Sequence, residues 1–550
     1  MRTRRRGLGA EAVAAPGEAL SRIDVPCYFA LMRLHDPLNY HARQQPDVDL
    51  ILSGETRLTY GEARAAANRF ANALIAAGVQ PGDRIALLAK NCADYVTFFY
   101  GASKAGAVPV PLNYRLAPPE WQYIIDDAQA KLLLARADLV PAIEPIREQL
   151  KTVRDCIAVE AEPPAGWRAW SDWVSSHPSS EPGRDIHEDG DLYQMYTSGT
   201  TGHPKGAVLA HRAVMSNVAQ LDACLRGVAG ERVLIVAPLY HAAAAITVFH
   251  AVTTGSTLVI HEEFNPTAVV AALAHQHIAR TTLVPAMIQA CLVMVPDVAK
   301  HQYDTLRLIA YGASPISEAT LRRAIEVFQC DFAQAYGMTE TTAVLTILSP
   351  DDHRRALASQ PGLLLSAGRA AMGTQLRIVD DQGADVAEGA VGEIAARGPQ
   401  LMRNYWNLPD ASGAALRGGW MHTGDAGRLD GEGYLYIQDR VKDMIVSGGE
   451  NIYPREVEEV LFQHPAVADA AVFGIPDEKF GEAVKAVVVL RAGMTATDAE
   501  IMDFCKGRLG GYKRPRSVDF AAALPRNPSG KVLKRELREP YWKGHTRRVG

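Results

Sequence analysis

Between Tyr196 and Gly206 the chain reads Tyr-Thr-Ser-Gly-Thr-Thr-Gly-His-Pro-Lys-Gly. Thr197, Ser198, Thr200 and Thr201 offer hydroxyls, Gly199 and Gly202 let backbone N–H groups crowd an anion, and Lys205 adds positive charge. Such a string is suited to gripping a chain of phosphates. It is not the G-x-x-x-x-G-K-[ST] loop, because Pro204 stands where that pattern needs its second glycine. Tyr196 and Ala207–Leu209 on its flanks are strand-like, which argues against a flexible Ser/Thr/Gly linker.

Other chemistry-bearing strings follow. Tyr336-Gly-Met-Thr-Glu340 gathers an aromatic ring, a hydroxyl and a carboxylate at an expected strand end. Asp425 follows Thr-Gly, which taken alone reads as an Asx turn. His241 on an apolar stretch reads alone as a core histidine, and Lys531 in a Pro/Gly-rich loop as a solvated lysine.

Together these strings resemble the adenylate-forming acyl-CoA synthetases, relatives of luciferase and of peptide-synthetase adenylation domains. The resemblance spans roughly residues 35–540. It rests on the loop 196–206, Pro238-Leu-Tyr-His241, Tyr311-Gly-Ala-Ser-Pro315 and Gln334-Ala-Tyr-Gly-Met-Thr-Glu340. Gly419-Trp-Met-His-Thr-Gly-Asp425, Asp439-Arg-Val-Lys-Asp443, Ser447-Gly-Gly-Glu-Asn451 and Pro525-x4-Gly530-Lys531 follow in the family order. The chain departs from that pattern at Asp439, where glycine is usual, and at Asn404-Tyr405, where many relatives have Gly-Tyr.

The resemblance implies ATP, Mg²⁺ and coenzyme A as co-substrates and cofactor. Tyr336 would stack on the base, with Gln334 and the backbone of Gly312, Ala313 and Ser314 near the adenine. Thr339 would lie near the α-phosphate, Glu340 would bind Mg²⁺, and Asp425 would grip the ribose hydroxyls with Arg440 beside it. Tyr240, His241, Val284, Gly312, Gly337 and Met338 would line the acyl pocket, His241 acting as a gate. Lys531 would bridge carboxylate and α-phosphate during adenylation. Lys442 would be the hinge on which Ser447, Gly448, Gly449 and Glu450 swing in to line the pantetheine tunnel. The implied reaction forms acyl-AMP and then the CoA thioester of a hydrophobic acid, medium- or long-chain fatty acids being the first choice. Aryl or steroid acids, a carrier protein as acceptor, and an inactive acyl-nucleotide binder are the alternatives.

The elements that must position these residues alternate helical and strand periods over the first four-fifths. Thr59 and Glu62 make a capping box before an Ala-rich helix stopping near Gly78. Strands are expected at Arg84–Ala89, Val108–Leu112, Val233–Leu239, Thr257–His261, Thr281–Val284 and Leu306–Tyr311. The fold class is therefore α/β, with largely parallel sheets. A small β-barrel-like subdomain follows at about 370–438, then a smaller, mobile α+β C-terminal domain in which Pro454 opens the first helix. Domain limits fall at 1–34 (a loose tail), 35–438, 439–444 (hinge) and 445–550.

Composition sets the outer bounds. Of 550 residues 48% are hydrophobic and 22% charged, which excludes global disorder, collagen and coiled coil. The net charge of −5 argues against a nucleic-acid binder. Residues 501–550 nevertheless carry thirteen Lys and Arg against four Asp and Glu, which suits polyphosphate co-substrates. Seven scattered cysteines without a C-x-x-C pair fit reduced thiols and a cytoplasmic location. The uncharged stretch from Val233 to His261 is interrupted by Pro238, Gly255 and three histidines, so strands and a buried helix are expected instead of a membrane span. Peripheral membrane contact and a homodimer are left open.

Overall fold

The computed structural model describes residues 32–159, 163–197, 204–440, 443–447, 450–506, 508–526 and 532–543. Five expected strands form at Arg84–Leu88, Val108–Leu112, Thr257–Ile260, Ile278–Leu283 and Leu308–Gly312; the sixth is shorter, Arg232–Ile235. Thr59 caps helix Tyr60–Ala76 by accepting the Glu62 N–H, while Glu62 accepts the Thr59 N–H, and Gly78 then turns the chain at φ +79°. Met32 and Leu34, placed with the tail on sequence, pack against the main core.

Two sheets dominate. One has nine strands with a parallel centre and antiparallel edges; the other has five strands, all parallel. Period-two alternation sends Leu132 and Leu134 into the core between the sheets, and Leu133 and Ala135 into the core on the far face. Helices Tyr60–Ala76, Ala93–Ala105, His211–Leu225 and Ala242–Thr253 fill the space between the sheets. Helices Pro266–His275, Pro285–Met294 and Glu318–Phe328 cover the outer face of the larger one. Both faces of the parallel strands are thus buried, as near-continuous apolar runs require. The Val233–His261 stretch is strand, helix and strand, and no described helix is long and apolar enough to cross a membrane.

The β-rich segment forms a four-stranded antiparallel sheet from Gln375–Val379, Gly392–Arg397, Met421–Leu429 and Leu435–Arg440. Beyond it, Pro454 does open helix Pro454–Phe462, and strands Val467–Asp477 and Gly481–Leu490 pair antiparallel. Two features there escape the sequence patterns: the short strands Ile445–Ser447 and Glu450–Ile452, and a last helix, Lys534–Trp542, with Pro540 inside it. Among the described residues, C-terminal cations pair within the fold, Lys506 with Asp503, Lys513 with Glu456, Arg526 with Asp469, Lys534 with Glu458 and Arg538 with Asp443.

Candidate active site

The carboxyl ends of neighbouring parallel strands are where open α/β sheets leave a crevice. Strand Leu308–Gly312 ends there and runs into Ala313 and Ser314; strand Asp331–Tyr336 ends beside it and runs into Gly337–Glu340. Gly312 is required by this pairing, since a Cβ on it would sit 2.2 Å from the Ala335 carbonyl oxygen. Ala313 holds φ +65°, a left-handed conformation that costs an alanine about 1–2 kcal/mol. Gln334 is buried, with its Oε1 3.4 Å from the Tyr311 hydroxyl.

Glu340 is buried in a single 3₁₀ turn, Thr339–Thr341. Its Oε1 accepts hydrogen bonds from the Tyr405 hydroxyl at 2.8 Å and from Thr197 Oγ1 at 3.3 Å. Its other oxygen accepts none among the described residues, and neither does the Thr339 hydroxyl take part in one. Lys205 lies with its Nζ 5.2 Å above the Tyr405 ring. Thr197 and Lys205 are themselves register partners at the end of an antiparallel pair, Asp191–Thr197 with Lys205–Ala210. One flank of residues 198–203 and the carboxylate therefore meet in one place.

The turn carrying Glu340 is strained. Thr342 adopts φ +65° and ψ −60°, a γ-turn closed by the Ala343 N–H on the Thr341 carbonyl at 2.8 Å. Such a conformation in a β-branched residue costs about 1–3 kcal/mol. It is held by the Thr342 hydroxyl donating to the Gln400 carbonyl at 2.8 Å and by the Met402 N–H donating to the Glu340 carbonyl at 2.7 Å. Gly337 lets the turn fold back, because a Cβ there would lie 2.2 Å from the Ala343 carbonyl oxygen. Gly337→Ala is expected to cost about 1–3 kcal/mol in stability through overpacking and to displace Glu340. Chemical unfolding together with ATP–pyrophosphate exchange reads both effects, and a variant matching wild type in each would refute the constraint.

Tyr336 and Asp425 come together across 89 positions of sequence: the Tyr336 hydroxyl donates to Asp425 Oδ2 at 2.8 Å. The bond orients the carboxylate. The turn leading into Asp425 is held by Thr423, whose Oγ1 accepts the Asp425 N–H at 3.1 Å. Asp425 is the backbone register partner of Arg440.

His241 occupies the N-cap position of helix Ala242–Thr253 without a side-chain capping bond, its ring 4.5 Å from that of Tyr240. Its Nε2 is buried without a partner among the described residues, and burial, reinforced by Arg115, lowers its pKa to about 4. At neutral pH it is uncharged. Val284 and Met338 are half-buried, Val284 packing against the outer helix layer and Met338 against the main core. Ser447 is buried opposite Glu450 in the short C-terminal hairpin, and Glu450 is exposed. Ser198, Gly199, Thr200, Thr201, Gly202, Lys442, Gly448, Gly449, Lys531 and the Arg440 side chain lie outside the described residues.

Sequence reasoning noted Tyr405 only as part of a loop departure, and missed that its hydroxyl holds Glu340. It also missed the support beneath the phosphate loop. There the Tyr196 hydroxyl donates to Asp127 Oδ2 at 2.5 Å, and Arg84 stacks 3.4 Å over Trp406, whose N–H groups donate to Asp127 and Gly206 carbonyls. Burial, and after it Asp127, hold the Tyr196 phenol well above its usual range, and burial raises Asp127.

Two further histidines are buried away from this site. His211 accepts the Leu34 N–H on Nδ1 at 3.1 Å, and His35 Nδ1 lies 2.8 Å from Ser103 Oγ. Burial lowers both to about 3. The unfolded chain therefore takes up protons first as pH falls below about 6.5, so stability is full above that value and declines toward pH 3–4, by up to about 1.4 kcal/mol per pH unit per histidine. The thermal midpoint is expected to drop between about pH 7 and pH 5, where carboxylates do not yet titrate; calorimetry showing a flat midpoint there would overturn this.

Strand ends that gather a buried carboxylate, Glu340, and a Tyr336–Asp425 pair are the arrangement of an adenylate-forming enzyme. The family models for "AMP-binding enzyme" and "AMP-binding enzyme C-terminal domain" match residues 38–406 and 456–531, and the chain belongs to this AMP-binding family of acid–thiol ligases. A fatty acid–[acyl-carrier-protein] ligase of Streptomyces coeruleorubidus is 37% identical over 537 residues, covering 94% of this chain and 99% of that protein. A long-chain-fatty-acid–CoA ligase of Mycobacterium tuberculosis is 38% identical over 499 residues, covering 89% and 94%. Among solved structures, an anthranilate–CoA ligase in complex with anthranoyl-AMP superposes with a TM-score of 0.87 at 27% identity, over 94% of this chain and 98% of that one.

Proposed function

We propose that this protein activates a hydrophobic carboxylic acid as acyl-AMP and transfers the acyl group to the thiol of CoA. The carboxylate attacks the α-phosphate of ATP and expels pyrophosphate; the thiol then attacks the acyl carbonyl and AMP leaves. The observation that carries this reading is the meeting of Thr197, at the mouth of the phosphate loop, with Glu340 at 3.3 Å.

Glu340, with one oxygen held by two donors and the other uncommitted, suits Mg²⁺, which prefers carboxylate and phosphate oxygens. When bound, such a cation would neutralise charge on the phosphates. Thr339 and Lys205 would orient the α-phosphate and the phosphate chain, and Asp425, fixed by Tyr336, would accept from the ribose hydroxyls. Residues 35–438 would form the adenylating body and 445–550 a mobile domain that turns at 439–444 between the half-reactions, bringing Ser447–Glu450 to the thiol.

ATP–pyrophosphate exchange with a panel of acids, followed by detection of the CoA thioester by mass, tests the reading. Exchange with thioester formation supports it. Exchange followed by transfer only to a phosphopantetheinyl carrier protein would favour the carrier-loading alternative raised by the Streptomyces relative. No exchange with any acid would reject catalysis.

A further inference from the structure

Helix Ala242–Thr253 lies against the larger sheet, and its burial pattern changes with depth. Ala243 and Thr247, one helical turn apart on the same face, are half-buried, whereas His250, on that face one turn deeper, is sealed. Strand Ile278–Leu283 shows the same change: Thr282 is half-buried and Arg280, two residues deeper on the same face, is sealed. Strand Leu308–Gly312, in register with it through Thr282 and Ala310, repeats it, with Gly312 and Ala310 half-buried and Leu308 sealed. Three elements thus open and close at one level. Their partial exposure, beside sealed residues one step deeper, is what a hollow beneath Gly312 and His241 ending at this level would leave.

What stops it is polar. Thr247 Oγ1 and Thr282 Oγ1 are 3.0 Å apart across the hollow. The layer beneath is a closed ion cluster, in which Arg280 donates to Glu231 at 2.7 Å, to His250 Nδ1 at 3.0 Å and to Ser256 at 3.2 Å, and His250 donates to Asp222 at 3.0 Å. An alkyl chain pushed past the threonines would have to break these bonds and leave buried charges unpaired, which is among the most costly changes a core can suffer.

The proton count gives the floor a preference. The Thr247 hydroxyl donates its one proton to the Ala243 carbonyl at 2.8 Å. Thr282 must therefore be the donor between the two threonines, and its proton is committed as well. Both oxygens keep lone pairs, and neither has a proton left for a ligand. The floor accepts hydrogen bonds and offers none.

From Ala243 to Thr247 the helix rises about 6 Å, and from Gly312 to Ala310 the strand falls about 6.6 Å. The depth on both walls is that of an aromatic ring or a short chain. We infer that the acid this enzyme takes is compact, an aryl or short aliphatic carboxylic acid carrying a hydroxyl at its far end, with Thr247 and Thr282 as the specificity-determining floor that accepts that hydroxyl. The inference rests on the acid-activating reading above and narrows its acid to one class.

The test measures kcat/KM for acid-dependent pyrophosphate release by the full-length enzyme. The probes are para-hydroxyphenylpropanoic, phenylpropanoic, octanoic and hexadecanoic acids. The hydroxylated acid should exceed its unsubstituted twin by about five- to tenfold, and hexadecanoic acid should be the poorest of the four. The Thr247→Val/Thr282→Val double variant keeps both side-chain shapes and removes both acceptors, so the preference ratio should collapse toward one, while Thr282→Val alone leaves Thr247 as an acceptor and should lower the ratio less. Hexadecanoic acid turned over as well as the compact acids by wild type would overturn the inference while leaving adenylation intact. A hydroxyl preference that is absent, or that persists in the Thr247→Val/Thr282→Val double variant, would overturn it too. Silence with all four acids in the presence of ATP would instead reject the acid-activating reading itself.

Discussion

Glu340→Gln is expected to lower acid-dependent ATP–pyrophosphate exchange by about a thousandfold while leaving the protein folded. Glutamine keeps the length of the side chain and, through its amide oxygen, an acceptor for the Tyr405 and Thr197 hydroxyls. What it loses is the negative charge, and its amide nitrogen replaces the oxygen that is uncommitted. In a buried site an oriented charge acting on phosphate is worth several kcal/mol of transition-state stabilisation, the scale lost when one preorganised electrostatic contact is removed. The midpoint of chemical unfolding should move by less than about 1 kcal/mol, because both hydrogen bonds survive. Exchange within tenfold of wild type at saturating Mg²⁺ would show that Glu340 merely holds Tyr405 and Thr197 in place. Tyr405→Phe separates the roles further, since it removes one donor to Glu340 and keeps the charge, and its loss of exchange should be far smaller.

How much of this was legible in the sequence varies with the range of the interaction. Local rules did well: the Thr59/Glu62 capping box, Pro454 at a first turn, and five strand runs placed within two or three residues at each end were readable because each depends on neighbours in the chain. The phosphate loop and Tyr336–Glu340 were legible as residue types whose chemistry narrows the possibilities. The convergence was not. Nothing in the spacing says that Thr197 reaches Glu340, that Tyr405 reaches it from the other side, or that Tyr336 meets Asp425, because those contacts are set by strand order in the sheets. Strain was equally hidden: Thr342 at φ +65° is a β-branched residue that local preference would never place there, and Gln400 and Met402, some sixty residues on, impose it. The acyl floor was hidden for a related reason, since Thr247 and Thr282 on their own are ordinary residues of a helix and a strand. Only the pairing of those elements makes them a boundary.

Lys531→Ala should split the two half-reactions: adenylation falls by about a thousandfold, while thioester formation from supplied acyl-AMP and CoA stays within a few-fold of wild type. The residue lies outside the described stretch, but the chain on either side of it is pinned. Arg526 and Val532 form an isolated antiparallel bridge, the Leu533 N–H donates to the Pro525 carbonyl at 2.8 Å, and Arg526 pairs with Asp469. Helix Lys534–Trp542 then starts at once and is tied down by Lys534 to Glu458 at 2.9 Å and by Arg538 to Asp443 at 3.3 Å. In adenylation two anions, the acid carboxylate and the α-phosphate, must come together, and an ammonium between them would offset their repulsion, beyond the charge that Lys205 and a cation at Glu340 would bring to the phosphates. In thioester formation the electrophile is already a mixed anhydride, and the work left is to bring a thiol to its carbonyl. Lys531→Arg keeps the charge but presents a planar, longer group, so it should recover little adenylation. Equal loss of both half-reactions in Lys531→Ala would mean that the lysine supports the fold of the C-terminal unit and does not act on the phosphate; loss of the first alone would tie the charge to the step in which the two anions meet.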